Sequence, residues 1–407
     1  MSRHPVGPSW EICHKIAQGS FGKVYMGVHA ITKDPVAVKM EPLDVRHPQL
    51  ATEADIYMAL RGTFGVPKLL WHGHVDKKFD AIVMQLLGPD LDQLLAYCET
   101  FSLKTVLLIA DQLIDRLKTV HKLGFVYRDI KPQNFAIGYG ADGLSTIHIM
   151  DFGLSKRLPS KTERRPRRKK SGGLVGTARY ASISAHRGDH MTCANDLESV
   201  GYMMMYWLRG ALPWSGLKAR NSVEKYEKIM RKKLSVPLKE LCKGHPDEMV
   251  EFIQYCRAYT NDMGPVDYDY LRGLISQMAL KWTEGNEEGD NLSNDTFDWF
   301  EPQSDKSWPD PSLPNLGDGK SVHPIGPGSK VQGSSLLSSI AARASLSRQQ
   351  SSGSRGSKGS KYVVRGGEAG VQKSLHVNRE GSGGGSQHDA SRLRSIDSGK
   401  RRLCLIL

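Results

Sequence analysis

The chain holds no run of about 18 apolar residues, so no segment of it reads as a membrane-spanning helix. No apolar stretch of the signal-peptide kind opens it. Its six cysteines (Cys13, Cys98, Cys193, Cys242, Cys256 and Cys404) show neither metal-ligand spacing nor the regular framework of a disulfide scaffold. These absences set the expectation of a reducing, intracellular compartment. Acidic residues are in deficit, 43 Asp and Glu against 56 Lys and Arg, for a net charge of +13. Partners should therefore be acidic: phosphorylated proteins, anionic lipid or nucleic acid. Aromatics nearly vanish after Trp308, where Tyr362 stands alone among Gly and Ser. Such a composition buries too little apolar surface to offset its ordering entropy. The expected organisation is an N-terminal extension at 1–9, a globular domain at 10–281 and a disordered tail at 282–407, with Gly381–Ser386 as a flexible tether.

What is present is concentrated. Tyr127-Arg128-Asp129-Ile130-Lys131-Pro132-Gln133-Asn134 is followed by Asp151-Phe152-Gly153. An Asp able to accept a proton precedes by five residues an Asn able to hold a cation, and a second Asp opens a D-F-G turn 17 residues later. This order and spacing resembles the catalytic loop and metal-binding turn of protein kinases. The resemblance implies a bilobal α+β fold: a β-rich N-lobe with one main helix running to about Leu86, then a helical C-lobe.

Upstream, the chain reads as strands around the Gly-rich turn Ala17-Gln18-Gly19-Ser20-Phe21-Gly22. Glycines let backbone N–H groups approach phosphates with no Cβ in the way. Ala17 replaces the first Gly of G-x-G-x-x-G, which predicts a stiffer lip without loss of nucleotide binding. Val36-Ala37-Val38-Lys39 matches the V-A-I-K strand, placing Lys39 on the α/β-phosphates. That ammonium needs a carboxylate. On a helix over Gln49–Leu60, Glu53 is the candidate, and Asp55 lies on another face. Ile16, Gly19, Ser20, Gly22, Val24 and Ala37 would line the ATP site, with Met84, Gln85 and Leu87 at a hinge offering backbone hydrogen bonds to adenine.

Phosphoryl transfer asks for positioning and charge neutralisation. Asp129 would accept or orient the substrate hydroxyl proton, and Lys131 would neutralise the γ-phosphate. Asn134 and Asp151 would hold Mg²⁺ through hard oxygen ligands.

Further motifs narrow the resemblance. Gly176-Thr177-Ala178-Arg179-Tyr180-Ala181-Ser182-Ile183-Ser184 stands where most kinases carry A-P-E. It is similar to the G-T-A-R-Y-A-S-I-N of the casein kinase 1 family, departing only at Ser184. Asp196-Leu197-Glu198-Ser199, Leu212–Ala219 and Tyr268–Arg272 resemble that family as well. The resemblance spans about Trp10–Lys281. It implies a serine/threonine kinase that favours acidic or already phosphorylated protein substrates and needs no activation-loop phosphorylation. It also implies an anion pocket at Arg179, Gly216 and Lys225, where a guanidinium fork and a point charge suit phosphate. Thr177 matches a Thr whose hydroxyl orders the catalytic loop. Tyr127 in place of the His of H-R-D resembles the membrane-attached branch, the yeast plasma-membrane casein kinases and the animal gamma forms. Gln133 stands where an acidic residue is common.

Lys156–Lys170 holds nine basic residues and one acidic one, just after D-F-G. The run is a solvated loop, a dock for acidic substrates or a nuclear import signal. The chain closes on Cys404-Leu405-Ile406-Leu407 after Lys400-Arg401-Arg402. A C-a-a-X end with Leu last predicts geranylgeranylation of Cys404 by a prenyltransferase, and the basic residues supply the second signal for an anionic membrane surface. The expected location is cytoplasmic and membrane-associated, with the nucleus as the alternative address. Two competing classes stay open at this stage. One is a catalytically weak tethering module, supported by Ala17 and Gln133. The other, a nucleic-acid-associated protein, is disfavoured because the basic residues crowd into one loop without interleaved aromatics.

Overall fold

The computed structural model describes residues 4–310, apart from 20–21, 141–142, 160–172, 260–263, 286–295 and 302–305, together with 340, 342 and 343. The first part of the chain makes a six-stranded antiparallel sheet from β1 (His4–Val6), β2 (Trp10–Gly19), β3 (Gly22–His29), β4 (Pro35–Pro42), β5 (Leu69–Val75) and β6 (Phe79–Gln85), in the order β1-β2-β3-β4-β6-β5. Its strands alternate, as a sheet covered on both faces requires. Val36, Val38, Ala81 and Val83 join Val6 and Val75 in an outer cluster flanked by Trp10 and Trp71, while Ala37, Ile82 and Met84 join the main core. Val6 completes that outer cluster, and His4–Val6 pair with Trp10–Ile12. The expected extension at 1–9 therefore contributes a strand to the sheet.

One helix, α1 (Leu50–Ala59), packs on the inner face of the sheet. Its N-cap residue, Gln49, offers no capping bond, and the buried carboxylate of Glu41 does that work. Glu41 Oε2 accepts from the amides of Gln49 (2.9 Å) and Leu50 (3.1 Å). A negative charge at a helix N-terminus is stabilising. Because Glu41 and Lys39, two residues apart, lie on the same face of β4, this bond also fixes where the first turn of α1 stands relative to Lys39.

After β7 (Leu87–Asp90) the chain turns helical: α2 (Leu91–Cys98), α3 (Leu103–Lys122), α4 (Ile183–Arg187), α5 (Cys193–Arg209), α6 (Ser222–Ser235), α7 (Leu238–Leu241), α8 (Asp247–Ala258) and α9 (Tyr268–Gly285). Between α3 and α4 lie the short strands β8 (Phe125–Val126), β9 (Phe135–Gly138), β10 (Ile147–Ile149) and β11 (Lys156–Arg157). Asp90 caps α2 with a full capping box. Helix α3 is apolar around most of its circumference, from Val106 to Val120, because α5 and α9 pack against it. A helix hydrophobic on most sides belongs in a core.

The domain does not stop at Lys281 as expected. Helix α9 runs to Gly285, and two later pieces return to the C-lobe. Asp298 Oδ2 accepts the Ser102 amide (2.7 Å) at the start of α3. Trp299 is fully buried and donates from Nε1 to Leu144 O (3.0 Å). Trp308 packs edge-on against Tyr97. The aromatic residues Phe297, Trp299 and Trp308 supply the apolar surface that holds this stretch. Apart from residues 340, 342 and 343, the expected tail beyond residue 310, including the Gly-Ser tether, lies outside the described residues.

Candidate functional site

The Gly-rich turn joins β2 to β3, with Gly19 and Gly22 opposite each other. Gly22 has φ +129°, and a Cβ there would lie 2.3 Å from Met40 O, so only glycine lets β3 pass β4 at this point. Ser20 lies outside the described residues. Val24 and Ile82 flank Lys39 across the sheet, and Met26 and Met84 flank Ala37, forming two adjacent cross-strand rows. Ile16 is half-buried against the same core. At the connection between the lobes the amide of Gln85 donates to Lys68 O (2.9 Å). Leu87 opens β7 opposite Gly138.

Lys39 is where the lobes' chemistry converges. Its Nζ stands 2.6 Å from Glu53 Oε2 and 3.0 Å from Asp151 Oδ1. Burial alone would lower the pKa of this ammonium, but the two carboxylates raise it, and it stays charged. Burial pushes the Glu53 carboxyl up to about 7 against the pull of Lys39. Asp151 is held below the ordinary carboxylate range, despite burial, chiefly by Lys39. Asp55, the alternative partner, is exposed.

The catalytic-loop candidates form a second knot. Asp129 is 4% exposed. Its Oδ1 accepts from Thr177 Oγ1 (3.0 Å), and its Oδ2 accepts from Asn134 Nδ2 (3.1 Å) and faces Lys131 Nζ (2.8 Å). Asn134 Nδ2 also donates to Asp129 O (2.8 Å). The Met150 amide donates to Asn134 O (3.0 Å), which brings Asn134 beside Asp151. Gly176 has φ +87°, and a Cβ on it would sit 2.4 Å from Arg128 O, so glycine alone lets Thr177 reach Asp129. Arg128 (φ +71°) and Asp151 (φ +62°) are non-glycine residues in the left-handed region. Each such residue stores strain of order 1–3 kcal/mol that the surroundings must hold.

Those surroundings were largely invisible in the sequence. Asp196 Oδ1 accepts from the Arg128 amide and its Oδ2 from the Tyr127 amide, both at 2.8 Å. His121 contributes a third contact to Asp196, Nε2 to Oδ2 at 2.8 Å, and its Nδ1 meets Tyr268 Oη at 2.6 Å. Burial would lower the pKa of His121, but its hydrogen bond with Asp196 and its neighbour Cys193 raise it to about 9. Arg128 Nε donates to Leu154 O (2.7 Å). The Asp151 amide donates to Tyr57 Oη (3.0 Å), and Tyr127 Oη donates to Met150 O (2.5 Å). Both rings meet Phe152 edge-on, at 5.0 Å and 5.6 Å. Burial, with Asp151 and Asp129 nearby, pushes the pKa of the Tyr127 phenol well up, so it remains a proton donor. Asp196 and Tyr268 fell within the family-like motifs, but His121, Tyr57 and Glu41 gave no signal.

The anion-pocket candidates sit on three segments that are stitched together. Trp214 Nε1 donates to Arg179 O (2.8 Å), two residues before Gly216, whose φ of +70° calls for glycine. Lys228 Nζ donates to Lys218 O (2.9 Å), tying α6 to the same loop. Lys225 is half-buried in the first turn of α6. The Arg179 guanidinium rests on the rings of Tyr206 (4.8 Å) and Tyr180 (5.8 Å). Below it, the fully buried Lys233 donates to Ala178 O (2.9 Å) and Ala181 O (2.5 Å), fixing the backbone on either side. The basic run beyond Pro159 and Cys404 lie outside the described residues.

The donor set suits a magnesium nucleotide. Asn134 and Asp151 offer hard oxygen atoms side by side, with Lys39 and Lys131 as flanking cations. Among the described residues no group of three or more His, Cys, Asp or Glu side chains is placed to hold a metal ion by itself. A cation here would complete its shell with phosphate and water, as Mg²⁺ commonly does. Residues 10–263 match the family model described as protein kinase domain.

Proposed function

Since the chain belongs to the protein kinase family, we propose that it is an active serine/threonine kinase of the casein kinase 1 type, taking acidic or pre-phosphorylated protein substrates. The observation that carries this reading is the double knot around Asp129 and Lys39. Asp129 is aimed by Thr177 and Asn134, and Lys39 is bracketed by Glu53 and Asp151. Asp129 orients the acceptor hydroxyl and takes its proton. Lys131, 2.8 Å from that carboxylate, neutralises charge on the group being transferred. Lys39 positions the α- and β-phosphates of ATP, and Glu53 keeps its ammonium in place. Asn134 and Asp151 would hold Mg²⁺, which would supply charge neutralisation for the nucleotide.

Substrate class rests on Arg179, Gly216 and Lys225. The described neighbours of Arg179 are aromatic rings rather than carboxylates, which supports a guanidinium left for an incoming anion. We assign Cys404 to prenylation and the basic residues before it to an anionic membrane surface, giving a cytoplasmic, membrane-associated enzyme. No helix among the described residues is long and apolar enough to cross a membrane.

The test is phosphate transfer from ATP to paired peptides, with and without phosphoserine upstream of the acceptor Ser, by wild type and Arg179→Ala. A hydrogen-bonded charge pair is worth about 1.5–3 kcal/mol. The primed-to-unprimed ratio of kcat/KM should therefore fall about tenfold or more in the variant. An unchanged ratio removes the anion pocket, and transfer to tyrosine removes the serine/threonine assignment.

A further inference from the structure

Far along the chain, Ile340, Ala342 and Arg343 are helical and return to the C-lobe. Arg343 meets Asp111 on α3, with Nη1 at 2.8 Å from Oδ1 and Nη2 at 3.1 Å from Oδ2. That carboxylate is already clasped by Arg272 of α9, with Nε at 2.8 Å from Oδ1 and Nη2 at 2.9 Å from Oδ2. An ionised carboxylate has about four acceptor sites. Arg272 fills two and Arg343 the other two. Asp111 is only 7% exposed in its side chain, so those sites have little access to water. Although burial opposes it, the two arginines hold its carboxyl below the ordinary range. Asp115, one turn further along α3, takes Arg272 Nη1 at 3.4 Å and Arg116 Nη1 at 2.8 Å, so the first clasp is itself braced.

The second contact is apolar. Ile340 is 5% exposed and belongs to the main core cluster, whereas Ala342 is exposed. Residues three apart share a helix face. Ile340 and Arg343 therefore present one face to the domain, an aliphatic anchor and a bidentate cation one turn apart. This pattern is what a surface that recognises a short peptide offers: a small apolar seat beside a desolvated carboxylate.

We propose that the α3–α9 seam is a docking site for an Ile-x-x-Arg helical turn, and that residues 340–343 of this same chain occupy it, fastening the C-terminal extension to the domain. The occupant is internal because its anchors are seated there, and because the segment is joined to the domain only through residues 311–339 after Trp308 has docked. A tethered segment acts at an effective concentration above that of a free one. A modest interaction is then enough to keep the seam filled. The docking does not depend on the catalytic assignment.

The test uses the full-length chain, wild type beside the double variant Ile340→Asp/Arg343→Ala, with the melting temperature as a check that the domain is intact. Amide exchange around residues 340–343 should be about tenfold or more faster in the double variant. A labelled synthetic peptide spanning residues 334–347 should bind the double variant about tenfold or more tighter than wild type, because the cis segment competes for the seam. The same peptide carrying both substitutions should bind neither. Arg343→Lys should fall between, since a point charge cannot bridge both oxygens. Equal exchange rates in the two proteins, or equal peptide binding, would overturn the proposal. Protection that rises with protein concentration would seat the segment of a second copy and overturn the cis assignment.

Discussion

His121 makes stability depend on pH in a direction that can be worked out from its surroundings. It is buried, touches Asp196 and Tyr268, and sits under the two amides that position Arg128 and Asp129. Its folded pKa is raised from 6.5 to about 9, so the folded protein holds a proton that the unfolded chain releases. The stability from this proton is fully present below about pH 6.5 and is lost as pH rises through 9. At about 1.36 kcal/mol per unit, the difference corresponds to roughly 3 kcal/mol. Urea unfolding of wild type and His121→Gln at several pH values between 6 and 9.5 measures it. The variant should be weaker at pH 6 and should lack the alkaline decline, so that the two profiles converge by pH 9.5. Parallel profiles would refute the reasoning and mean that His121 is neutral in the fold. Phosphate transfer should decline over the same alkaline range in wild type, because the hydrogen bonds to Asp196 set the backbone of the catalytic loop.

Three further outcomes follow from contacts around the site. Glu53→Gln leaves Lys39 with Asp151 as its carboxylate partner and should cost about 3 kcal/mol in thermal or urea unfolding, within the range for breaking a buried pair; it should also raise the KM for ATP. Tyr127→Phe strips the donor from Met150 O at constant ring packing and should cost about 1–3 kcal/mol, with kcat lowered more than the KM for ATP in steady-state assays. Gly176→Ala forces a Cβ against Arg128 O and a positive φ on alanine; transfer should fall by about tenfold or more while circular dichroism stays native, because the strain falls on the contact between Thr177 and Asp129.

The parts of the site legible in the sequence are those coded by short spacings. Lys39, Asp129, Asn134 and Asp151 each sit in a local motif whose backbone geometry sets the side chain's direction. Glu53 was reachable from helix periodicity, since Asp55 falls on another face. The fold class was legible for the same reason, through the resemblance of those motifs to protein kinases. What was not legible is long-range. Glu41 caps α1 across a loop, His121 reaches Asp196 over 75 residues, and Tyr57 meets Asp151 over 94. No local pattern marks a polar residue whose partner is that distant. The contacts made beyond Lys281 were hidden because composition was averaged over a long polar stretch. Phe297, Trp299 and Trp308 are buried against the C-lobe, as is Ile340, beside the Arg343 contact to Asp111.

The most direct test is transfer of the γ-phosphate from ATP to a serine peptide with acidic residues upstream, by wild type and Asp129→Asn. Asparagine preserves the shape that Thr177 and Asn134 grip but cannot take the acceptor's proton. Turnover by wild type that falls by about 10²–10⁴ in the variant, with ATP binding unchanged, is the predicted result. No turnover by wild type, or equal turnover by both, would contradict the account.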